Sequence, residues 1–334
     1  MINKGDGNMT NRIVVLIKRL YKISNEFGAR AAIEIMLSKV QNDVTKYIDV
    51  IMHYLKPYVE YSLASYSEIE SGEMPKKVPI WIFWWQGYEN MPEICKCCYE
   101  SVKRQLPDNA DLILVTKDNY RKYVDVPDEI IYKVDRGIFT LTLFSDWLRN
   151  ALIVKHGGFW IDSTIYCVNK IDEDFLEDNQ YWSIKKIYRG SDRYSVGRTV
   201  TKCMWGGFIQ KAPKGSRINQ LVLSALTRYM LDHNVLLEYF IQNFIIRILY
   251  EIDANVRISI DNIPFSNKNL YLLADKMNDA FNSDEWANIK EDTTFFKLSW
   301  KSDYVKETER GEKTFYYYIL NERANPPAML GRIM

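Results

Sequence analysis

Phe144-Ser145-Asp146-Trp147-Leu148-Arg149-Asn150-Ala151-Leu152-Ile153-Val154-Lys155-His156-Gly157-Gly158-Phe159-Trp160-Ile161-Asp162-Ser163-Thr164 is the stretch that decides the fold. Phe144, Trp147, Leu148, Ala151 and Leu152 recur at i, i+3, i+4, i+7 and i+8, the spacing of a helix with one core face. Asp146 and Arg149 are three residues apart and share the other side of that helix. His156 and Gly157-Gly158 stop it, because glycine takes positive φ without a steric cost. Phe159-Trp160-Ile161 then reads as a short buried strand. It delivers Asp162 to the strand's exposed end, where open α/β sheets bind ligands.

A carboxylate at that point suits a divalent metal or the sugar of a sugar nucleotide. Arg149 suits a phosphate, and Asp146 can accept hydrogen bonds from sugar hydroxyls. The plainer reading of the same residues is a glycine-capped helix with a surface ion pair. The succession of glycine stop, strand and aspartate favours the site.

These residues resemble the D-x-x-R … G-G-x-x-x-D-x-D pattern of GT-A glycosyltransferases of the glycosyltransferase 32 type. They are similar above all to the bacterial capsular polysaccharide synthesis branch, where W-I-D-x-T is common. Asp146, Arg149 and Asp162 match the motif; Thr164 stands where the second aspartate would be. The resemblance implies a GT-A, Rossmann-like α/β fold, a mainly parallel sheet with flanking helices, here with an N-terminal helical extension. It also implies transfer of a hexose from a nucleotide sugar, UDP-galactose or UDP-glucose, to a lipid-linked oligosaccharide, with retention of configuration. Asp162 and Thr164 would hold Mn²⁺ or Mg²⁺, Thr164 only as a neutral oxygen, so that the metal site is either completed elsewhere, by diphosphate, water or a C-terminal residue, or bound weakly. Two other functions stay open: transfer to a protein or small-molecule acceptor, and a non-catalytic subunit that binds nucleotide sugar or polysaccharide.

Composition narrows the classes. A chain of 334 residues, 47% hydrophobic, supports a sizeable core and excludes general disorder. A net charge of +1 gives no field for nucleic acid. The 23 tyrosines and 9 tryptophans suit carbohydrate clefts and large cores alike. Cys95, Cys97, Cys98, Cys167 and Cys203 form no disulfide framework and no zinc spacing, which fits a reduced cytosol. The longest early apolar run, Ile13 to Ile17, is far short of a membrane span, so the protein is expected in the cytoplasm, peripheral on the inner membrane face.

Along the chain, residues 1–10 read as a disordered start and 11–65 as helices. Ile13, Leu16, Ile17, Leu20 and Tyr21 line one face of the first helix; Arg12, Lys18, Arg19 and Lys22 line the other. Such a helix either lies on an anionic membrane or packs on its own domain with a solvated basic face. Linker composition over Ser71 to Lys77 divides an N-terminal helical region, 1–75, from a catalytic domain, 76–334. Val78 to Gly87 reads as a first buried strand ending at a glycine turn, Asp111 to Thr116 as a second, and further strands are expected at Ile165–Val168, Tyr181–Ile184 and Trp205–Ile209. Helices are expected at 91–104, 117–123, 128–135, 215–231 and 234–251, with a polar mobile loop at 190–202. Strand–helix alternation of this kind implies a parallel sheet.

Three further segments resemble parts of the same family. Val78 to Gly87 is similar to its opening motif, which makes Trp85, Gln86 and Gly87 candidate contacts to the nucleotide base; an aromatic core strand is the alternative. Leu237 to Phe240 is similar to a D-Y-F-like segment, with Glu238 facing the acceptor or simply the solvent. Phe295 to Lys301 is similar to a K-L-T-x-K segment that closes over the donor diphosphate. Lys297 and Lys301 would add positive charge there and Trp300 an aromatic lid; the alternative is an edge strand with solvated lysines.

Overall fold

The structure, a computed structural model, describes residues 6–67, 72–186 and 196–322. It is a mixed α/β protein built on a five-stranded sheet of order β2-β1-β3-β6-β5. The strands are β1 (Val78–Phe83), β2 (Ala110–Val115), β3 (Gly158–Ile161), β5 (Trp182–Ser183) and β6 (Ile209–Ala212); β4 (Ile165–Cys167) and β7 (Phe295–Lys297) form a separate antiparallel pair. β1 runs parallel to both β2 and β3, and β6 is antiparallel to β3 and to β5. Four of the five strands therefore point the same way and only β6 is reversed. The chain leaves β1 for β2 on one side and returns to β3 on the other, so the strand order reverses between β1 and β3. Crevices at such a reversal, at the strands' C-terminal ends, are where α/β sheets bind ligands.

Ten helices are needed to place the site: α1 (Asp6–Phe27), α2 (Ala29–Val40), α3 (Val44–Ala64), α4 (Glu93–Arg104), α5 (Asp128–Asp135), α6 (Leu141–His156), α7 (Glu173–Glu177), α8 (Val196–Thr201), α9 (Arg217–Asp232) and α10 (Ile241–Ile252). The expected disordered start is corrected from Asp6 onward, which lies in α1, while residues 1–5 lie outside the described ones. Gly28, at φ 85°, separates α1 from α2, and the Asp43 carboxylate caps α3 by accepting from Lys46 N at 2.9 Å. Tyr47, Ile51, Leu55, Val59 and Ser62 recur on the buried face of α3, which packs on α9 and α10. Ile51, Leu55 and Val59 are fully buried in the core that also holds Trp81 and Trp160, so the N-terminal helices share one core with the sheet.

α6 is more central than its single apolar stripe suggests. Its N-terminus is capped by Thr140, whose hydroxyl accepts from Leu143 N, and every residue from Asp146 to Ile153 is buried. The glycine pair does more than stop it. A Cβ on Gly157 (φ 70°) would stand 2.7 Å from Lys214 N, and one on Gly158 (φ 110°) would strike the Pro79 carbonyl and stand 2.8 Å from its ring. These two glycines let β3 slide between β1 and the end of β6, a close approach no side chain permits.

Three local expectations are corrected. The strand expected at Trp205–Ile209 begins at Ile209, and Trp205 to Phe208 form a loop beside α6. The helix expected at 234–251 begins at Ile241; before it, the Tyr229 hydroxyl donates to Val235 O at 2.6 Å and accepts from Leu237 N at 2.8 Å, holding 235–237 in a non-helical turn. Of the loop expected at 190–202, residues 196–201 are helical, and 190–195 lie outside the described residues.

Candidate active site

Asp162 leaves the C-terminal end of β3, its own N–H bonded to Phe208 O and its carbonyl accepting from Ile165 N, each at 2.9 Å. That turn aims the carboxylate into a cleft of about 930 Å³ whose lining includes Asp146, Arg149, Asp162 and Lys297. The four side chains form one cluster. Arg149 NH1 lies 3.0 Å from Asp146 Oδ1 and NH2 lies 3.4 Å from Asp162 Oδ1, while Lys297 Nζ donates to Asp162 Oδ2 at 2.9 Å. Trp160 Nε1 donates to Asp162 Oδ1 at 2.9 Å, and the Arg149 guanidinium lies over the Trp160 ring.

Arg149 is wedged in place. NH1 also donates to Gly207 O at 2.6 Å and NH2 to Ser145 Oγ at 3.2 Å, and its side chain is only 7% exposed. Gly207 must be glycine for this: a Cβ there would stand 2.9 Å from Arg149 NH1 and 2.8 Å from the Trp205 ring. Beneath the ion pair, Asn150 Nδ2 donates to Asp146 O at 2.7 Å and to Gln242 Oε1 at 2.8 Å, and Asn219 donates to Asn150 Oδ1 at 2.9 Å. Amides from three helices thus brace the α6 backbone at Asp146. The surface ion pair allowed by the plainer reading is corrected to a buried one.

Burial and charge push the two aspartates in opposite directions. Burial raises the Asp146 carboxyl to about 6, against the opposing pull of Arg149 and with help from the Asp162 charge. Burial also acts upward on Asp162, but Lys297 and Arg149 together outweigh it and hold its carboxyl below the ordinary value. One cleft therefore presents a firmly ionised carboxylate and one that protonates near neutrality. Carboxylates placed this way accept sugar hydroxyls and stabilise cationic character at a sugar ring, while the adjacent cations oppose negative charge on a leaving group.

The residues fit a divalent cation poorly. Among the described residues no group of three or more His, Cys, Asp or Glu side chains gathers at metal-binding distance. Thr164, 7% exposed, turns its Oγ1 to Lys297 Nζ at 2.7 Å, and both Asp162 oxygens already face cationic or N–H donors. Hard cations need anionic oxygens free to ligate. A Mn²⁺ or Mg²⁺ on Asp162 and Thr164 would have to displace this ammonium.

The other expected residues divide. Trp85 packs on Tyr120 and Phe144, with ring centroids 5.6 Å apart in each pair, and Trp85, Gln86 and Gly87 do not line the cleft. It is Trp84 that meets Trp300, edge to face at 6.0 Å, and the Trp84 Nε1 is buried without a partner. Trp300 is 48% exposed and Lys301 stacks over its ring; neither lines the cleft. Lys297 ends β7, an edge strand paired through its backbone with Ile165, but its ammonium is turned onto Asp162 and Thr164 rather than into solvent.

Glu238 is corrected outright. It is 6% exposed and lies outside the cleft, accepting from the Tyr47 hydroxyl of α3 and from Tyr239 N, with Arg19 of α1 3.9 Å away. Its carboxylate ties the N-terminal helices to the α9–α10 turn. Arg19, expected on the basic face, donates to Leu237 O at 2.7 Å and belongs to the same tie. Sequence reasoning missed the cleft residues Tyr239, Phe240 and Asn243 and the bracing residues Asn150, Asn219 and Gln242. The Gly206-Gly207 pair was the available signal for Arg149's backbone partner; the amides carried none.

Comparison with known proteins places the chain. No curated protein matches it. Among solved structures it is similar to the apo structure of WbbM, a bifunctional glycosyltransferase, with a TM-score of 0.45 and 13% identity, over 78% of this chain and 51% of that one. The chain thus spans about half the length of that structure. The model of a family described as capsular polysaccharide synthesis protein matches residues 33–319, which takes in the whole Asp146–Arg149–Asp162–Lys297 cluster. The chain therefore belongs to the capsular polysaccharide synthesis protein family.

Proposed function

We propose that the chain is a glycosyltransferase that moves a hexose from a nucleotide sugar, UDP-galactose or UDP-glucose, to a lipid-linked oligosaccharide in capsular or surface polysaccharide synthesis. The observation that carries this is the joining of Asp146, Arg149, Asp162 and Lys297 at the mouth of a cleft at the sheet's strand-order reversal. Asp146 and Asp162 hold hydroxyls of the donor sugar. Arg149, already bonded to both carboxylates, keeps them in register. Lys297 balances the charge that grows on the diphosphate as the bond from the anomeric carbon to the phosphate oxygen breaks. The bonding pair leaves with that oxygen, the acceptor hydroxyl oxygen bonds to the anomeric carbon, and its proton departs with the nucleoside diphosphate. Positioning both substrates supplies much of the rate.

A lipid-linked acceptor places the enzyme at a membrane, on its cytoplasmic face. No helix of the described residues is long and apolar enough to cross a bilayer. Val14, Val15, Leu16, Ile17 and Tyr21 of α1 are exposed, as are Lys18 and Lys22, a combination suited to an anionic lipid surface. Ile23 and Phe27, further along α1, pack inward, with Phe27 stacked 4.2 Å from His233.

The test is a panel of radiolabelled nucleotide sugars with the purified full-length chain, scored for release of nucleoside diphosphate and for transfer to a lipid-linked acceptor. Turnover of one donor that rises with that acceptor is expected. A folded protein that neither binds nor turns over any member of the panel overturns the reading.

A further inference from the structure

Thr164 and Lys297 have a joint meaning that neither has alone. In a site with two carboxylates and a divalent cation, charges of −2 and +2 cancel. Here one carboxylate is replaced by a neutral hydroxyl, and a single ammonium bridges the two positions: Lys297 Nζ donates to Asp162 Oδ2 at 2.9 Å and to Thr164 Oγ1 at 2.7 Å. The local charges are −1 and +1, and again cancel. Loss of one negative ligand and replacement of a doubly charged cation by a singly charged one are compensating changes.

The backbone fixes this arrangement. Lys297 is in register with Ile165, the residue after Thr164, and Leu298 N donates to Thr164 O at 2.9 Å. The Lys297 side chain is thereby delivered onto the Asp162–Thr164 turn by strand pairing rather than by a flexible tail. An ammonium has three N–H donors. Two serve Asp162 and Thr164, and Nζ stands at the cleft, where its remaining N–H suits a phosphate oxygen. Arg149 cannot take this part. Its NH1 and NH2 already serve Asp146, Ser145, Asp162 and Gly207 O, and its Nε is buried without a partner. A divalent ion added here would meet an ammonium already seated on its ligands.

We propose that Lys297, seated on Asp162 and Thr164, is the built-in cation for the donor diphosphate, so that this protein binds a nucleoside diphosphate without a divalent metal. The proposal rests on the glycosyltransferase reading and deepens its donor site.

The experiment is calorimetric binding of UDP, and in parallel GDP, to the full-length chain after exhaustive chelation, in EDTA and then with excess Mn²⁺. The expected result is binding of one nucleotide in EDTA, with Mn²⁺ changing its affinity by less than about threefold. Lys297→Gln should weaken it about tenfold to a hundredfold, the scale of one hydrogen bond to a charged group, and Lys297→Arg should restore most of it. Thermal unfolding of each variant reports whether it is folded, and the wild-type chelator arm decides independently of any variant. Binding lost in EDTA and restored by Mn²⁺ overturns the proposal and leaves the glycosyltransferase reading standing. Wild-type protein that binds neither nucleotide in either condition overturns both.

Discussion

Asp162 and Glu238 are both largely buried carboxylates, both accept from N–H or O–H donors, and both have an arginine within 4 Å, yet they do different work. Glu238 is enclosed. Its partners, Tyr47, Arg19 and Tyr239 N, come from the N-terminal helices and its own turn, and its carboxylate does not line the cleft. Asp162 is placed by a strand end, is 24% exposed, and with its partners Arg149 and Lys297 faces a cleft large enough for a ligand. A buried carboxylate with a cation is therefore not by itself a site. What separates the two is whether the charge, once balanced, still has a face turned to space that a substrate can enter.

The sharpest way to break this comparison is charge removal at equal shape. Asp162→Asn should lower turnover per folded molecule by about two orders of magnitude or more, the scale for one electrostatic group in a preorganised site, and should also lower the unfolding temperature, because Arg149 and Lys297 lose their charged partner. Steady-state turnover beside thermal unfolding checks it, and near-normal turnover in the folded variant would remove Asp162 from the chemistry.

Next is the pH response, where the two aspartates of the cleft differ in sign. Asp146, raised to about 6, is protonated more readily in the folded than in the unfolded chain, so its contribution to stability falls as pH rises from its ordinary range through about 6. Asp162, held low, contributes stability that is present above the ordinary carboxylate range and is lost as pH falls through its depressed value. If ionised Asp146 holds the donor sugar, activity should fall about tenfold per pH unit below 6. That limb should vanish in Asp146→Asn; a pH profile of kcat/KM, corrected for folded fraction, tests it.

Glu238→Gln should cost stability without the loss of turnover. Loss of its charge weakens the bond from the buried Tyr47 hydroxyl, at a cost of about 1–3 kcal/mol. The partly exposed Arg19 adds little. Denaturant unfolding should report that loss while turnover per folded molecule stays within about twofold, since the substitution touches no substrate contact. A stable, inactive variant would bring Glu238 back into the site.

The smallest effect belongs to the exposed start of α1. Lys18→Glu with Lys22→Glu should weaken sedimentation with anionic vesicles, each basic residue being worth about 1 kcal/mol near the surface. Arg19 is left intact because it ties α1 to Leu237. Equal binding by the variant and the parent would leave the membrane reading of this helix without support.

Local sequence determined a good deal. The i, i+3, i+4 stripe and the glycine pair specify α6 and its end, the short aromatic run specifies β3, and their order brings Asp146, Arg149 and Asp162 to one edge of the sheet. Helix period, strand run and glycine φ are properties of neighbours along the chain, so they can be read from it. The departure at Thr164 was visible only against the family motif that the stretch resembles.

Its compensation was not. Lys297 reaches Thr164 across 133 residues, and only the pairing of β4 with β7 decides that it seats on Asp162 instead of extending into solvent. Glu238 likewise stands in a segment that reads as a helix, until Tyr229 bends 235–237 and Tyr47, 191 residues earlier in the chain, encloses its carboxylate. Trp84 and Trp85 are adjacent in sequence, and which one meets Trp300 depends on the face each presents at the end of β1. Side-chain types and spacing determine what chemistry is possible at each position. Long-range packing alone determines which charges meet, because bringing distant groups together is a property of the folded core and leaves no periodic trace in the sequence.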